Sequence, residues 1–173
     1  MLELRRPIRF LLAVCLFGPP GFGGTAAAAQ FSCGQIPNFD VAVSLAPFST
    51  DLTTFQNISN TRVEFKQPGK SPGCALVRFS ARATTSDINV PNISMLVRPL
   101  LDGGTLAVPS EAQLTSDDNE NNSANIETRA HSFEFVFTGV SPGAHAIVMQ
   151  MRRNSSAVGR VFVSESTTIV AHP

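Results

Sequence analysis

The chain contains no tryptophan and no tyrosine. Those two side chains, with arginine, anchor most protein and sugar interfaces, so an aromatic stacking face of the lectin kind is disfavoured. The thirteen phenylalanines carry no polar handle and read as core fillers. Charge is also scarce, at 15% of residues, and it balances at 13 cationic against 13 anionic side chains. A neutral chain lacks the basic face that nucleic acid demands and the polybasic segment that an anionic bilayer attracts. No apolar run approaches the roughly eighteen residues of a membrane span, and no stretch keeps a helical apolar period over three turns. What remains is short alternating segments and turn residues.

The first segment is read as a leader. Arg5, Arg6 and Arg9 form a basic start, Phe10–Phe17 a short apolar core, and Gly18-Pro19-Pro20-Gly21 breaks it. Ala27-Ala28-Ala29 satisfies the small-x-small rule for cleavage before Gln30. Arg5-Arg6 is a poor twin-arginine signal beside Leu4, Pro7 and Ile8, and Val14 before Cys15 disfavours lipidation. The expectation is a signal peptide over 1–29, a single domain over 30–173, and a secreted or periplasmic protein. Cleavage there removes three arginines and Glu3, leaving a net charge of about −2.

Two of the three cysteines, Cys33 and Cys74, would survive cleavage. In an exported protein an isolated pair most often closes one disulfide. A reactive or metal-binding thiol would need a second Cys or a His at ligand spacing, and neither is present.

Strand signals follow one another to the C-terminus. Phe39, Val41, Val43 and Leu45 alternate with Asp40, Ala42 and Ser44. Arg62–Lys66 is a short strand closed by Gln67-Pro68-Gly69, and Cys74–Thr84 is a long one with Ala75, Val77, Phe79, Ala81 and Ala83 on one side. Ile93–Leu101 follows, and its Pro99 predicts an edge or a bulge. Asp102-Gly103-Gly104 turns the chain into Thr105–Val108. Ser110–Glu127, centred on TSDDNENNSAN, reads as a polar surface loop. Phe133, Phe135 and Phe137 share one face of the next strand; Ser141-Pro142-Gly143 reverses the chain, and His145, Ile147, Met149 and Met151 begin a second alternating run. These two runs are expected to form a hairpin, followed by a last strand in Gly159–Ala171. The fold class predicted is all-β, an antiparallel β-sandwich or jelly roll of about eight strands.

Several strings imitate catalytic motifs. Gly139-Val140-Ser141-Pro142-Gly143 matches the nucleophile elbow G-x-S-x-G, but Pro142 stands where an oxyanion N–H is needed, and a strand follows instead of a helix. Gly69-Lys70-Ser71 echoes a phosphate loop, but Glu64 replaces its first glycine and Pro72 follows it. Asp117, Asn119 and Asn121 fall at positions 1, 3 and 5 of a calcium loop, yet Asn122 and Thr128 occupy the places of its Gly and bidentate Glu. That segment is read as a solvated loop. The sequence calls for no metal and no cofactor.

The Ser-Pro-Gly turn at 71–73 recurs at 141–143, each time leading into a strand, and a good turn sequence accounts for it. His131 and His145 flank the second of these turns and are the candidate ligand-contact residues; a metal-dependent hydrolase built on them would still need a third ligand, such as Glu134 or Glu165. Arg152, Arg153 and Arg160 read as a solvated rim. Asn57, Asn92, Asn121 and Asn154 each begin a glycosylation sequon.

The stretch VSPGAHAIVMQMRRNSSAVGRVFVSESTTIV resembles the closing strands of uncharacterised exported bacterial proteins with a TNF/C1q-like jelly roll. In that family a Pro-Gly turn leads into an H-x-V-x-x-Q-x-R strand and a final Val/Thr-rich strand. CALVRFSARAT and VRPLLDGG are similar to its earlier strands, so the resemblance spans about Cys74 to Val170, with Met151 where the family often has Trp. It implies fold, export and possible trimers, and no activity. The sequence therefore points to a secreted, non-enzymatic binding or structural module acting on a protein or small ligand. The alternatives are the His131/His145 hydrolase and a surface subunit that assembles by strand addition.

Overall fold

The computed structural model describes residues 33, 36, 38–85, 94–116, 129–154 and 159–173. The described residues lie in one compact unit, Ser32–Pro173. The expected leader, the loop with Asp117, Asn119 and Asn121, and the sequons beginning at Asn92 and Asn121 lie outside the described residues, as do Ser155 and Ser156 of the sequon at Asn154.

Eleven strands occur among the described residues: β1 (Asn38–Ser44), β2 (Phe48–Thr50), β3 (Gln56–Asn57), β4 (Val63–Gln67), β5 (Gly73–Thr85), β6 (Ser94–Leu101), β7 (Thr105–Leu106), β8 (Ala112–Ser116), β9 (Arg129–Val140), β10 (Gly143–Arg153) and β11 (Val161–His172). Three of them, β2, β3 and β7, have only two or three residues, which leaves eight longer ones. Of those eight, the first pairs with the last (β1–β11), the second with the seventh (β4–β10), the third with the sixth (β5–β9) and the fourth with the fifth (β6–β8), all antiparallel. Rolling one long antiparallel ribbon over on itself produces that nested order. It is a jelly roll.

The first sheet runs β1-β11-β5-β9, with β2 also on β11; the second runs β3-β10-β6-β7, with β4 also on β10 and β8 on β6. Period-2 alternation supplies the core between them. Ala75, Val77, Phe79, Phe135, Phe137 and Val170 of the first sheet meet Val63, Phe65, Met95, Val97, Ile147, Met149 and Met151 of the second. Each large side chain fully withdrawn from water contributes on the order of 1.5–3 kcal/mol before entropy is charged against it. Cys33 and Cys74 are joined in a disulfide with Cα atoms 5.4 Å apart, a normal span for the bond.

Several expectations are corrected by the pairing. The runs on either side of Ser141-Pro142 form no hairpin: β9 pairs with β5 in the first sheet, and β10 with β4 and β6 in the second. The turn is an arch that carries the chain from one sheet to the other, because each strand has a better-matched partner elsewhere. The expected loop 110–127 contains β8, which pairs with β6. Pro99 sits in a strand with neighbours on both sides, at the gap between the residues paired to β8 (Ser94–Val97) and those paired to β7 (Leu100–Leu101). A missing N–H is tolerated in such a gap. Arg153 is buried, so it belongs to no solvated rim, whereas Arg160 is exposed.

The largest departure concerns β1. Its apolar set faces out: Phe39 is 65% exposed, Val41 55% and Val43 62%, and Leu45, just past its end, 77%. The inward positions are Asp40, Ala42 and Ser44, which meet Val170, Thr168 and Ser166 of β11.

Candidate functional site

The arch between the sheets sets up the site. Gly143 adopts a φ of 135°, which L side chains rarely adopt, as the chain leaves Ser141-Pro142. Two residues later His145 points inward, opposite Phe65 of β4. Its Nδ1 lies 2.7 Å from Asp102 Oδ2 and its Nε2 lies 2.7 Å from the Ser141 carbonyl oxygen. Both partners are acceptors, so the ring serves them best with a proton on each nitrogen.

Asp102 begins the β6–β7 turn. It takes φ 50° and Gly103 φ 75°, while the Gly104 N–H donates to the Leu101 carbonyl at 3.1 Å. Two successive positive φ values are the mark of the tight hairpin turn that Asp-Gly favours. The turn is welded to β10 by reciprocal bonds: the Asp102 N–H donates to the Ala146 carbonyl at 2.9 Å, and the Ala146 N–H donates to Asp102 Oδ1 at 2.9 Å.

The electrostatics follow from this geometry. The Asp102 carboxylate, by accepting a hydrogen bond, raises the His145 pKa above its ordinary 6.5; burial opposes the rise, and the Ser141 carbonyl assists it. Burial pushes Asp102 up, but the Ala146 N–H and His145 together more than offset that, and its pKa lies below the ordinary 3.8. The His145 side chain is 8% exposed and that of Asp102 48%. A buried imidazole is thus matched to a half-exposed carboxylate.

A second pair mirrors the first. His172, ending β11, places Nε2 2.9 Å from Asp40 Oδ2 on β1. The Phe65 ring lies between the two imidazoles, with centroids 5.5 Å from His145 and 5.1 Å from His172. Phe65 therefore touches a histidine of each sheet at this end, each imidazole being bonded to its own carboxylate.

Asp102 also forms part of the rim of a groove on the outer face of the second sheet. The groove has a volume of about 440 Å³; Leu100, Ala146 and Val148 form its floor, and Asn57, Arg62 and Asp102 its polar border. Beside it the sheet surface is knitted by side chains. Gln150 donates to Asn57 Oδ1 at 2.8 Å and accepts from Arg98 Nε at 2.8 Å. The Arg98 guanidinium carbon lies 3.8 Å from the Phe55 ring centre and that of Arg152 5.0 Å, both within cation–π range.

His131 is elsewhere. It lies on β9 in the first sheet, opposite Ala81, and stacks on Phe133 at 6.2 Å. Nine residues of strand separate it from Val140 at the arch, about 30 Å at 3.3 Å per residue. The expected approach of His131 to His145 does not occur, because the two strands belong to different sheets. Neither suggested third ligand repairs this. Glu134 is paired with Arg78 on the outer face of the first sheet, and Glu165 borders the hollow of about 350 Å³ beside His131. Both nitrogens of His145 are engaged with acceptors, and among the described residues no three His, Cys, Asp or Glu side chains form a metal-sized group. Asp102, His172, Asp40 and Phe65 carried no sequence signal of their own, since only strand register brings them together.

No family model matches the chain, and no curated protein matches it in sequence. Among solved structures it is similar to the infectious bursal disease virus VP2 subviral particle (12% identity, TM-score 0.47, covering 90% of this chain and 37% of that one). It is also similar to the insecticidal delta-endotoxin Cry8Ea1 of Bacillus thuringiensis, at 12% identity and TM-score 0.42 over 73% of this chain and 20% of that one. The Eiger TNF of S. frugiperda aligns at 10% identity and TM-score 0.37 over 78% and 92% of the two chains. The chain thus spans well under half the length of the first two proteins it resembles. The jelly-roll assignment rests on the strand pairing itself. Among the described residues no helix is long and apolar enough to cross a membrane.

Proposed function

We propose that this is a secreted or periplasmic, non-enzymatic binding module whose ligand surface is the groove beside Asp102. The observation that carries the reading is the Asp102 carboxylate, held by the Ala146 N–H at 2.9 Å and by His145 at 2.7 Å. A carboxylate fixed from behind and 48% exposed in front is a pre-organised acceptor. The same groove is lined by the apolar Leu100, Ala146 and Val148 and by the polar Asn57 and Arg62. The chemistry that fits is a small ligand with a hydroxyl or amine donor and an apolar face. A few placed polar groups over an apolar floor are the usual make-up of such sites.

His145 in this reading is a positioning residue. It sets the carboxylate and touches no ligand itself. Ligand-observed NMR with a library of monosaccharides and small amines tests the proposal. Binders should lose about tenfold or more in affinity when Val148→Lys fills the floor, since one buried polar or apolar contact is worth about 1.4 kcal/mol. A library without a binder, or binders indifferent to both Val148→Lys and Asp102→Asn, would remove the groove from consideration.

A further inference from the structure

The groove leaves β1 unexplained. This seven-residue strand ends the first sheet, paired to β11 on one side, and among the described residues no strand pairs with its other edge. Exposed edges are normally guarded, by a charge, a proline, a bulge or a covering segment. The other edges here are guarded. Val108 closes β9 with two bonds to Val136, each 2.8 Å. The second sheet ends in short pieces on both sides: β3 and β4 on one, the latter with Glu64 and Lys66, and β7 and β8 on the other, with a register shift in β8. By contrast β1 is regular along its whole register, carries no lysine or proline, and turns Phe39, Val41 and Val43 to solvent, with Leu45 exposed just past its end.

The sequence of β1 is complementary to itself. About a two-fold axis at Ala42, antiparallel pairing with a second copy sets Phe39 opposite Leu45 and Val41 opposite Val43, all on the outer face. On the inner face Asp40 falls opposite Ser44 and Ala42 opposite Ala42, so no like charges meet. The one charged side chain of β1, Asp40, faces inward and is bonded to His172 at 2.9 Å. The same patch on both partners is what a closed two-fold interface requires.

We propose that two copies of this chain associate through β1, edge to edge and antiparallel about Ala42, so that the two first sheets become one continuous sheet. The occupant is a second copy because no foreign strand is needed to match the pattern. A trimer is not what this geometry gives, since a two-fold contact closes on itself. One strand edge with its side chains lies in the weak interface class, below about 1,200 Å², so the dimer is expected to dissociate in the micromolar range.

Sedimentation equilibrium of protein produced from the full-length gene, over about 1 µM to 1 mM, tests this. The expected result is a monomer–dimer equilibrium that shifts at least tenfold toward monomer in Val41→Lys/Val43→Lys and is unmoved in Leu106→Lys, a control on β7. Circular dichroism reports whether the double variant folds. Should it not fold, Ala42→Cys decides instead: the proposed register brings the two Cβ atoms to about 4.5–5.5 Å, so mild oxidation should yield a covalent dimer. A monomer at every concentration, a trimer, a dimer indifferent to the lysines, or no cross-link from a folded Ala42→Cys variant would each overturn the proposal.

Discussion

Two strands with the same sequence pattern ended with opposite faces to solvent. In β1, Phe39, Val41, Val43 and Leu45 alternate with small and polar residues; in β10, His145, Ile147, Met149 and Met151 do the same. In β10 the apolar set is buried, with Ile147, Met149 and Met151 at 0% exposure, whereas in β1 it is between 55% and 65% exposed. Alternation establishes a strand and leaves the choice of face to the neighbours. β10 lies between β6 and β4 and shares Pro99, Val97 and Val63 across the ladder. β1 meets a stretch of β11 whose inward residues at its level include Thr168 and Ser166, and His172 draws Asp40 to the inner side.

The contrast can be broken most forcefully in the core. Met149→Ala should destabilise by about 2–5 kcal/mol, since it leaves a cavity between the sheets; urea unfolding at constant m measures it. Removing the disulfide with Cys33→Ser comes next, at about 2–4 kcal/mol for a loop of 41 residues on the chain-entropy account, read as a fall in midpoint against the oxidised wild type. Severing the latch with His145→Gln should cost about 1 kcal/mol, a charged hydrogen bond discounted because Asp102 is half exposed.

The latch has a pH signature with a definite sign. The His145 contribution is complete below its ordinary pKa of 6.5 and fades as pH rises through the raised folded value. The Asp102 contribution is complete above 3.8 and fades as pH falls through its lowered folded value. Thermal melts should therefore show the wild type exceeding His145→Gln most between roughly pH 4 and 6.5, with the gap narrowing at higher pH. A pH-independent gap would show that His145 acts through packing alone. At the small end, Val41→Ala should change monomer stability by no more than about 0.5 kcal/mol, despite matching Met149 in the alternation. A larger loss in dilute protein would mean that β1 is covered within the monomer.

The fold was legible because its signals are local. Period 2 at Phe133–Phe137 and at Ala75–Ala83, and turns at Ser71-Pro72-Gly73 and Asp102-Gly103, each stand within a few residues of one another. What failed was partner choice. Ser141-Pro142 looks like a hairpin because adjacency in sequence is the default expectation, and only the better match of β9 to β5 and β10 to β4 turns it into an arch. The same limit hid the site. Asp102 read as a turn residue and Asp40 as one position of an alternating strand, and 43 and 132 positions separate them from His145 and His172 respectively. Of the two histidines singled out, one, His145, bonds the Asp102 that lines the proposed groove.

The nested pairing also has a kinetic side. The centre of the first sheet is β11, which must meet β1 across the register Asn38↔His172 as well as β5 and β2. Almost every ladder in the molecule joins distant parts of the chain, the topology that folds in milliseconds to seconds at the slow end of the two-state range. Until β11 arrives, β1 and β5 have no common neighbour and the sheet has a hole in its middle. A chain of this kind keeps its first sheet incomplete until β11 has joined it.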